Sequence, residues 1–256
     1  MTLLKVEGLT HWFGGLRAVH DFNLDLQQGE LVAIIGPNGA GKTTVFNLVT
    51  GVYRPTEGAI EHNGRSLVGQ PTHKIIGGGI ARTFQNIRLF KELTVLDNIR
   101  IAQYSQAGYS PVEAMLRLPR FLHQEEEIRI EAGQLLELFG LGGLKFAISK
   151  NLPYGQQRRL EIARALATRP GILLLDEPAA GMNPNEVEQL INLIMMIKQT
   201  FNLTILLIEH QMRVVMSIAE RIKVLDFGQT IAEGTPDEIQ NNPRVIEAYL
   251  GEEEKV

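Results

Sequence analysis

The chain has 256 residues, of which 44% are hydrophobic and 21% charged, and its formal net charge is -4. That length suits one large α/β domain, or one domain with an inserted subdomain, and the acidic balance argues against nucleic acid as the main partner. The lack of cysteine excludes disulfides and thiolate chemistry, and the six histidines are scattered without metal-ligand spacing.

From the N-terminus, residues 1–7 show no basic segment leading into the apolar core of a signal peptide. No apolar run approaches the roughly 18–20 residues needed to cross a bilayer, so an anchor at a membrane has to come from other chains. Residues 3–6 and 22–26 alternate apolar and polar side chains and predict antiparallel strands with one solvated face, with Phe13-Gly14-Gly15 as a turn between them. Residues 31–35, 172–175 and 203–208 are continuous apolar runs, with 222–225 a shorter one, as expected of parallel strands covered on both faces. A helix is expected over 44–49. Residues 87–165 break this rhythm, with no clear strand pattern and helical stretches at 125–138 and 156–167. The expected layout is a single domain over 1–256, with 1–86 and 166–256 as core and 87–165 as a helical insertion. A later helix is marked by Asn183 as N-cap, Pro184 at N1 and Glu186 at N3, ahead of a stripe of Val187, Leu190, Ile191 and Ile194. The last residues, from Gly251, read as a solvated tail.

Between the strand 31–35 and the helix 44–49 lies Gly36-Pro37-Asn38-Gly39-Ala40-Gly41-Lys42-Thr43-Thr44. The glycines let the backbone curl so that successive N–H groups face inward around an anion, and the helix N-terminus adds partial positive charge. Lys42 has the reach for the β- and γ-phosphates, and the Thr43 hydroxyl is placed to ligate Mg²⁺. The strand–loop–helix context separates this segment from a chance glycine-rich turn, and it predicts a nucleoside triphosphate as ligand. A second nucleotide motif ends the run 172–175: Asp176 is placed to orient Mg²⁺ through its water shell, and Glu177 to polarise an attacking water. Alone it would read as a buried strand ending in two solvated acids.

Leu152-Pro153-Tyr154-Gly155-Gln156 follows a helical stretch and opens another helix. Here the chain resembles the ABC ATPases, whose signature Leu-Ser-Gly-Gly-Gln stands some twenty residues before the acidic strand end. The remaining motifs of that family follow in order. Gln85 falls at its Q-loop glutamine, Ala179-Ala180-Gly181-Met182-Asn183 at its D-loop, His210 at its H-loop histidine, and Phe13 at the aromatic that stacks on adenine, a role that adjacent Trp12 is also placed to take. A closer resemblance, carried by Arg82-Thr83-Phe84-Gln85-Asn86-Ile87-Arg88-Leu89-Phe90, by Tyr154 and Gln157-Arg158-Arg159, and by the stretches from Glu233 and Asn242 to Gly251, is to the ATP-binding subunits of bacterial branched-chain amino-acid importers. Two positions depart from the family pattern: Pro153 stands for the signature serine, and Met182-Asn183 for the common Leu-Asp.

The resemblance implies an α/β P-loop core with a parallel central sheet, an antiparallel β subdomain and an inserted helical subdomain. It implies an ATPase using ATP and Mg²⁺, with Thr43, Gln85 and Asp176 facing the metal (Asp176 through water) and Glu177, His210 and Lys42 serving the chemistry. Residues 36–44 hold this subunit's ATP with Phe13, and Leu152–Gln156 meets the ATP of a partner. The implied partners are a second ATPase subunit, related but different, two multispanning permease subunits and, indirectly, a periplasmic amino-acid-binding protein, with no nucleic acid. The implied place is the cytoplasmic face of the inner membrane, held peripherally. Competing readings are an ATPase of another ABC machine, such as lipopolysaccharide export, and a soluble ABC protein of translation or repair, whose duplicated halves or long coiled coils are missing here. A P-loop kinase would leave the signature and His210 unexplained.

Overall fold

A computed structural model describes residues 1–253. The chain opens on an antiparallel pair, β1 (Thr2–Phe13) and β2 (Leu16–Gln27), which turns at Gly14 and Gly15. Leu4, Val6 and Leu9 of β1 and Phe22, Leu24 and Leu26 of β2 are buried and the residues between them are exposed or half-buried, with Thr10 beside Leu9 buried as well, so the expected alternation holds over most of a longer hairpin. β3 (Leu31–Ile35) runs through the phosphate loop into α1 (Lys42–Val49). Next come β4 (Glu57–His62), β5 (Arg65–Ser66), α2 (Thr72–Gly77) and β6 (Ile80–Arg82). A helical stretch follows, with α3 (Val95–Gln103), α4 (Pro111–Met115), α5 (Pro119–Leu138) and α6 (Tyr154–Leu166). The chain then returns through β7 (Ile172–Asp176), α7 (Pro184–Phe201), β8 (Thr204–Ile208), α8 (Met212–Ile218), β9 (Arg221–Asp226), β10 (Gln229–Gly234), α9 (Pro236–Gln240) and α10 (Pro243–Glu253).

The chain divides into two compact units, one formed by Met1–Arg82 with the chain from Gly171 onward, the other by Thr83–Pro170. The first unit holds two sheets. The four-stranded one, in the order β2-β1-β4-β5, is antiparallel throughout. The six-stranded one, in the order β10-β9-β3-β8-β7-β6, is parallel from β9 to β6. Every residue of β3, β7 and β8 is buried, as their unbroken apolar runs require of strands covered on both faces. One apolar cluster joins the inner faces of both sheets to Val45, Phe46, Leu48 and Val49 of α1, and each such side chain is worth about 1.5–3 kcal/mol of burial. The second unit is helical; among its described residues the only β pairing is an isolated bridge between Thr94 and Ile148.

The central strands are parallel as expected, and one edge strand is added antiparallel, β10 on β9. The tight turn rests on Phe227 and Gly228, both with positive φ (43° and 78°), the geometry that matches strand twist in a two-residue hairpin. Phe-Gly is an uncommon sequence for such a turn, which hid it. The strands β4, β5 and β6 are also additions to the sequence reading. The expected tail begins as helix instead, since α10 runs to Glu253; residues 254–256 of that tail lie outside the described residues. The helix from Pro184 starts as expected: the Asn183 side chain accepts from the N–H groups of Asn185 and Glu186, and Glu186 caps back onto Asn183. No helix among the described residues is long and apolar enough to cross a membrane.

Candidate nucleotide-hydrolysis site

At the carboxyl end of β3 the backbone must turn sharply before α1 begins. Gly36 has a φ of 145°, and a Cβ there would lie 1.9 Å from the Leu225 carbonyl oxygen; at Gly41, with φ 100°, it would lie 2.4 Å from the Ala18 carbonyl oxygen. Both positions therefore exclude a side chain, because packed backbone cannot move aside. The loop leads into α1 without a side-chain cap, and the N-terminus of that helix carries partial positive charge. Lys42 is buried, and its ammonium donates to the carbonyl oxygens of Gly36 at 2.7 Å and Pro37 at 2.8 Å. The lysine thus arches back over the loop, which places its charge within the cradle. Thr43 faces solvent at the helix start and Thr44 is half-buried.

The two strands that flank the loop's strand on one side deliver the acids and the histidine. Asp176 ends β7 and is almost wholly buried, and its Oδ2 pairs with Arg82 Nη2 at 2.8 Å. Arg82, at the end of β6, also donates from Nη1 to Asn47 Oδ1 at 2.7 Å and Thr50 Oγ1 at 3.2 Å, both on or next to α1. One guanidinium therefore ties the acid of β7 to the helix that follows the phosphate loop.

Glu177 has φ 46°, in the left-handed region, although it precedes Pro178, where an extended backbone is normal. Such a residue costs of order 1 kcal/mol and persists only where neighbours hold it. Here its N–H donates to the Ile208 carbonyl at 2.9 Å, across to the end of β8. The Glu177 Oε2 atom then lies 3.6 Å from His210 Nδ1, with the glutamate side chain 14% exposed and the histidine 49%. The carboxylate is sheltered but reachable by water, and the imidazole stands at its open side.

Between them sits Glu209, fully buried. Its Oε1 accepts from the Ala179 N–H at 2.8 Å, and its Oε2 from the N–H groups of His210 at 3.1 Å and Gln211 at 3.3 Å. Burial pushes this carboxyl above its ordinary range, against the pull of those N–H groups. The Gln211 side-chain amide also donates to the Ala179 carbonyl at 3.1 Å.

Phe13 and Trp12 end β1, both partly exposed. Phe13 meets His11 and Tyr53 edge-on, with centroids 4.6 and 5.2 Å away, while Arg17 lies over the Trp12 ring at 5.6 Å.

In the second unit, Gln85 is exposed, and Leu152, Pro153, Tyr154, Gly155 and Gln156 form the start of α6. Pro153 occupies the N-cap position with no side-chain cap, and its carbonyl accepts from the N–H groups of Gln156 and Gln157, each at 3.0 Å. The helix therefore begins normally without the serine hydroxyl. Arg158 is fully buried and joins these two motifs: it donates to the carbonyl oxygens of Phe84 and Gln85, both at 2.7 Å, and to Glu161 Oε2 at 2.7 Å. Glu161 Oε1 accepts from the Arg88 N–H at 3.0 Å, and burial raises its carboxyl above the ordinary range.

The structure thus brings Glu177 to His210, Asp176 to the α1 helix through Arg82, and Gln85 to the signature helix through Arg158. Arg82, Glu209, Arg158 and Glu161 escaped the sequence reading as site residues. The available signal was a charged residue abutting an apolar strand or standing on the apolar face of a helix, where an unpaired charge is costly.

A fold that gathers a phosphate cradle, a strand-end acid and a water-facing carboxylate at the carboxyl edge of its parallel strands is that of a P-loop nucleotide hydrolase. Residues 19–180 match the family described as ABC transporter, and residues 229–255 match one described as branched-chain amino acid ATP-binding cassette transporter. Over 250 residues, 98% of each chain, the protein is 49% identical to the high-affinity branched-chain amino acid transport ATP-binding protein BraF of Pseudomonas aeruginosa. It is 50% identical over 250 residues, again 98% of each, to the corresponding protein LivG of Salmonella typhimurium. A solved ATP-binding cassette of an ABC transporter, in its ADP conformation, matches with a TM-score of 0.85 at 32% identity, over 98% of this chain and 99% of that one. The chain belongs to the ABC transporter family, among its ATP-hydrolysing, ATP-binding subunits.

Proposed function

We propose that this protein hydrolyses ATP to drive uptake of branched-chain amino acids, as one of two ATPase subunits held peripherally at the cytoplasmic face of the inner membrane by multispanning permeases. The observation that carries the substrate class lies outside the nucleotide motifs. The match at residues 229–255 covers β10, α9 and α10, a segment without a P-loop, an acidic strand end or a signature, so it is not a likeness between ATPases in general.

In this reading the N–H groups of residues 36–44 and the Lys42 ammonium hold the phosphates, and Phe13 supplies an aromatic face to adenine. The choice of Phe13 follows the family pattern, and Arg17 already lies over the Trp12 ring. Glu177 takes a proton from the attacking water, and His210 positions that water and the γ-phosphate. A metal fits the residues present: the Thr43 hydroxyl and the Asp176 carboxylate are hard oxygen donors, to which the family pattern adds the Gln85 carbonyl. Among the described residues no group of three or more His, Cys, Asp or Glu forms a protein cage, which suits an ion that arrives with the phosphates and keeps waters. When bound, Mg²⁺ neutralises phosphate charge. Because the chain carries one phosphate loop and one signature, its own Leu152–Gln156 segment serves the ATP of a partner subunit, and the partner's signature completes the pocket here.

Purification of the tagged chain from native membranes tests the assignment. The expected co-purifying proteins are two multispanning permeases and a second, different ATPase, in a complex whose ATPase activity responds to a leucine-loaded binding protein. Recovery with components of a lipid exporter would overturn the substrate class.

A further inference from the structure

Glu177 and His210 follow the ends of the neighbouring strands β7 and β8, and the hydrogen bonds between those two segments centre on a group outside the family's motif set. Three ties stitch the turn after β7 to the segment after β8. The Glu177 N–H donates to Ile208 O at 2.9 Å, the Ala179 N–H donates to Glu209 Oε1 at 2.8 Å, and Gln211 Nε2 donates to Ala179 O at 3.1 Å. The other Glu209 oxygen holds the N–H groups of His210 and Gln211. Glu209 thus grips both sides with one fully buried carboxylate, an acceptor at both ends. Such charge-assisted bonds to main-chain N–H groups are about twice as strong as neutral ones. They act on the backbone flanking Glu177, whose left-handed φ needs support, and on the backbone of His210 itself.

We propose that Glu209 is the positioning residue of the hydrolytic site: it locks the turn that carries Glu177 to the segment that carries His210 and so fixes the carboxylate–imidazole separation at which water is activated. A displacement of residues 179–183 is transmitted by the same carboxylate to His210. The inference rests on the reading of Glu177 and His210 as the hydrolytic pair.

The test is a double-mutant cycle in the full-length chain, read as kcat and KM for ATP. Glutamine at 209 keeps the shape but offers one oxygen, and its NH₂ faces N–H donors, so one side of the grip is lost. Displacing reacting groups by about 1 Å costs on the order of 100-fold, so Glu209→Gln is expected to lower kcat by roughly 10- to 100-fold with KM within about 2-fold. In a His210→Ala background the same change is expected to remove less than about 2-fold more, since the position it secures is already empty of function. An equal loss in both backgrounds, or a lowered melting temperature with normal kcat in the cold, overturns the proposal. Should Glu209→Gln fail to fold, Glu209→Asp, which keeps the charge but is too short to grip both sides, is expected to lower kcat by about 3- to 10-fold, on the same misplacement argument; unchanged turnover there overturns it as well. Full activity of His210→Ala would instead refute the underlying site reading, which separates the two failures.

Discussion

Replacement of Glu177 by glutamine removes a proton acceptor and keeps the shape of the side chain. The turn that displays it is held by a main-chain bond from Glu177 N–H to Ile208 O, which the substitution leaves in place. The ion pair given up is with a half-exposed histidine at 3.6 Å, of a kind worth about 0–1 kcal/mol in stability. For a chain of this size 1 kcal/mol corresponds to about 2–4 °C, so the melting temperature should move by no more than about 4 °C. The kinetic effect is of another order. A positioned general base contributes about 10²- to 10⁴-fold, or about 2.7–5.4 kcal/mol of barrier at 1.36 kcal/mol per tenfold. The assay is phosphate release at saturating MgATP, with nucleotide binding measured in parallel by calorimetry. Binding is expected to be retained or tightened, since a negative charge near the phosphates is gone. Turnover within about 3-fold of the wild type, in a preparation shown free of contaminating ATPase, would refute the general-base assignment, because no base can be dispensable at that level.

Four further substitutions probe the buried ion pairs and the aromatic end of β1. Arg82→Met strips the buried Asp176 of its cation and should cost about 3–5 kcal/mol, seen as a fall in melting temperature of roughly 6–20 °C in calorimetry; a shift within about 2 °C would mean that the pair is not formed in solution. Arg158→Met should destabilise the helical unit by a similar amount, about 3–5 kcal/mol, and speed hydrogen exchange over residues 84–88, whose carbonyls and N–H groups the Arg158–Glu161 pair holds. Phe13→Ala should weaken ATP binding by about 1 kcal/mol, roughly 5-fold, while Trp12→Ala does not; the opposite ranking by fluorescence titration would move the stacking role to Trp12.

Local signals in the sequence were enough for the glycine-rich loop and the strands beside it. The loop from Gly36 to Thr44 is legible because glycine positions, lysine and hydroxyl are set by short-range geometry, and the apolar runs of β3, β7 and β8 declare strands buried on both faces. The start of α7 is equally local, being a capping box within four residues, and the asparagine at 183 fills the cap as an aspartate would. What escaped depends on pairing far along the chain. β10 is an edge strand made by a turn of unusual sequence, and β6, three residues long, exists through its register with β7. The buried charges were hidden for the same reason. Arg82 finds Asp176 94 residues away, Arg158 finds Phe84 74 away, and Glu209 finds Ala179 30 away. A sequence displays the charge but not its partner, and without the partner a solvated face is the sound expectation.

The central claim is that ATP turnover at Glu177 powers branched-chain amino-acid uptake. Reconstituted membrane vesicles containing the chain with its native permeases, loaded inside with MgATP and given a leucine-loaded binding protein outside, test it directly by uptake of labelled leucine. The expected result is ATP-dependent leucine accumulation that Glu177→Gln abolishes while the assembled complex persists. Leucine accumulation that is independent of ATP, or that survives the substitution, would contradict the account.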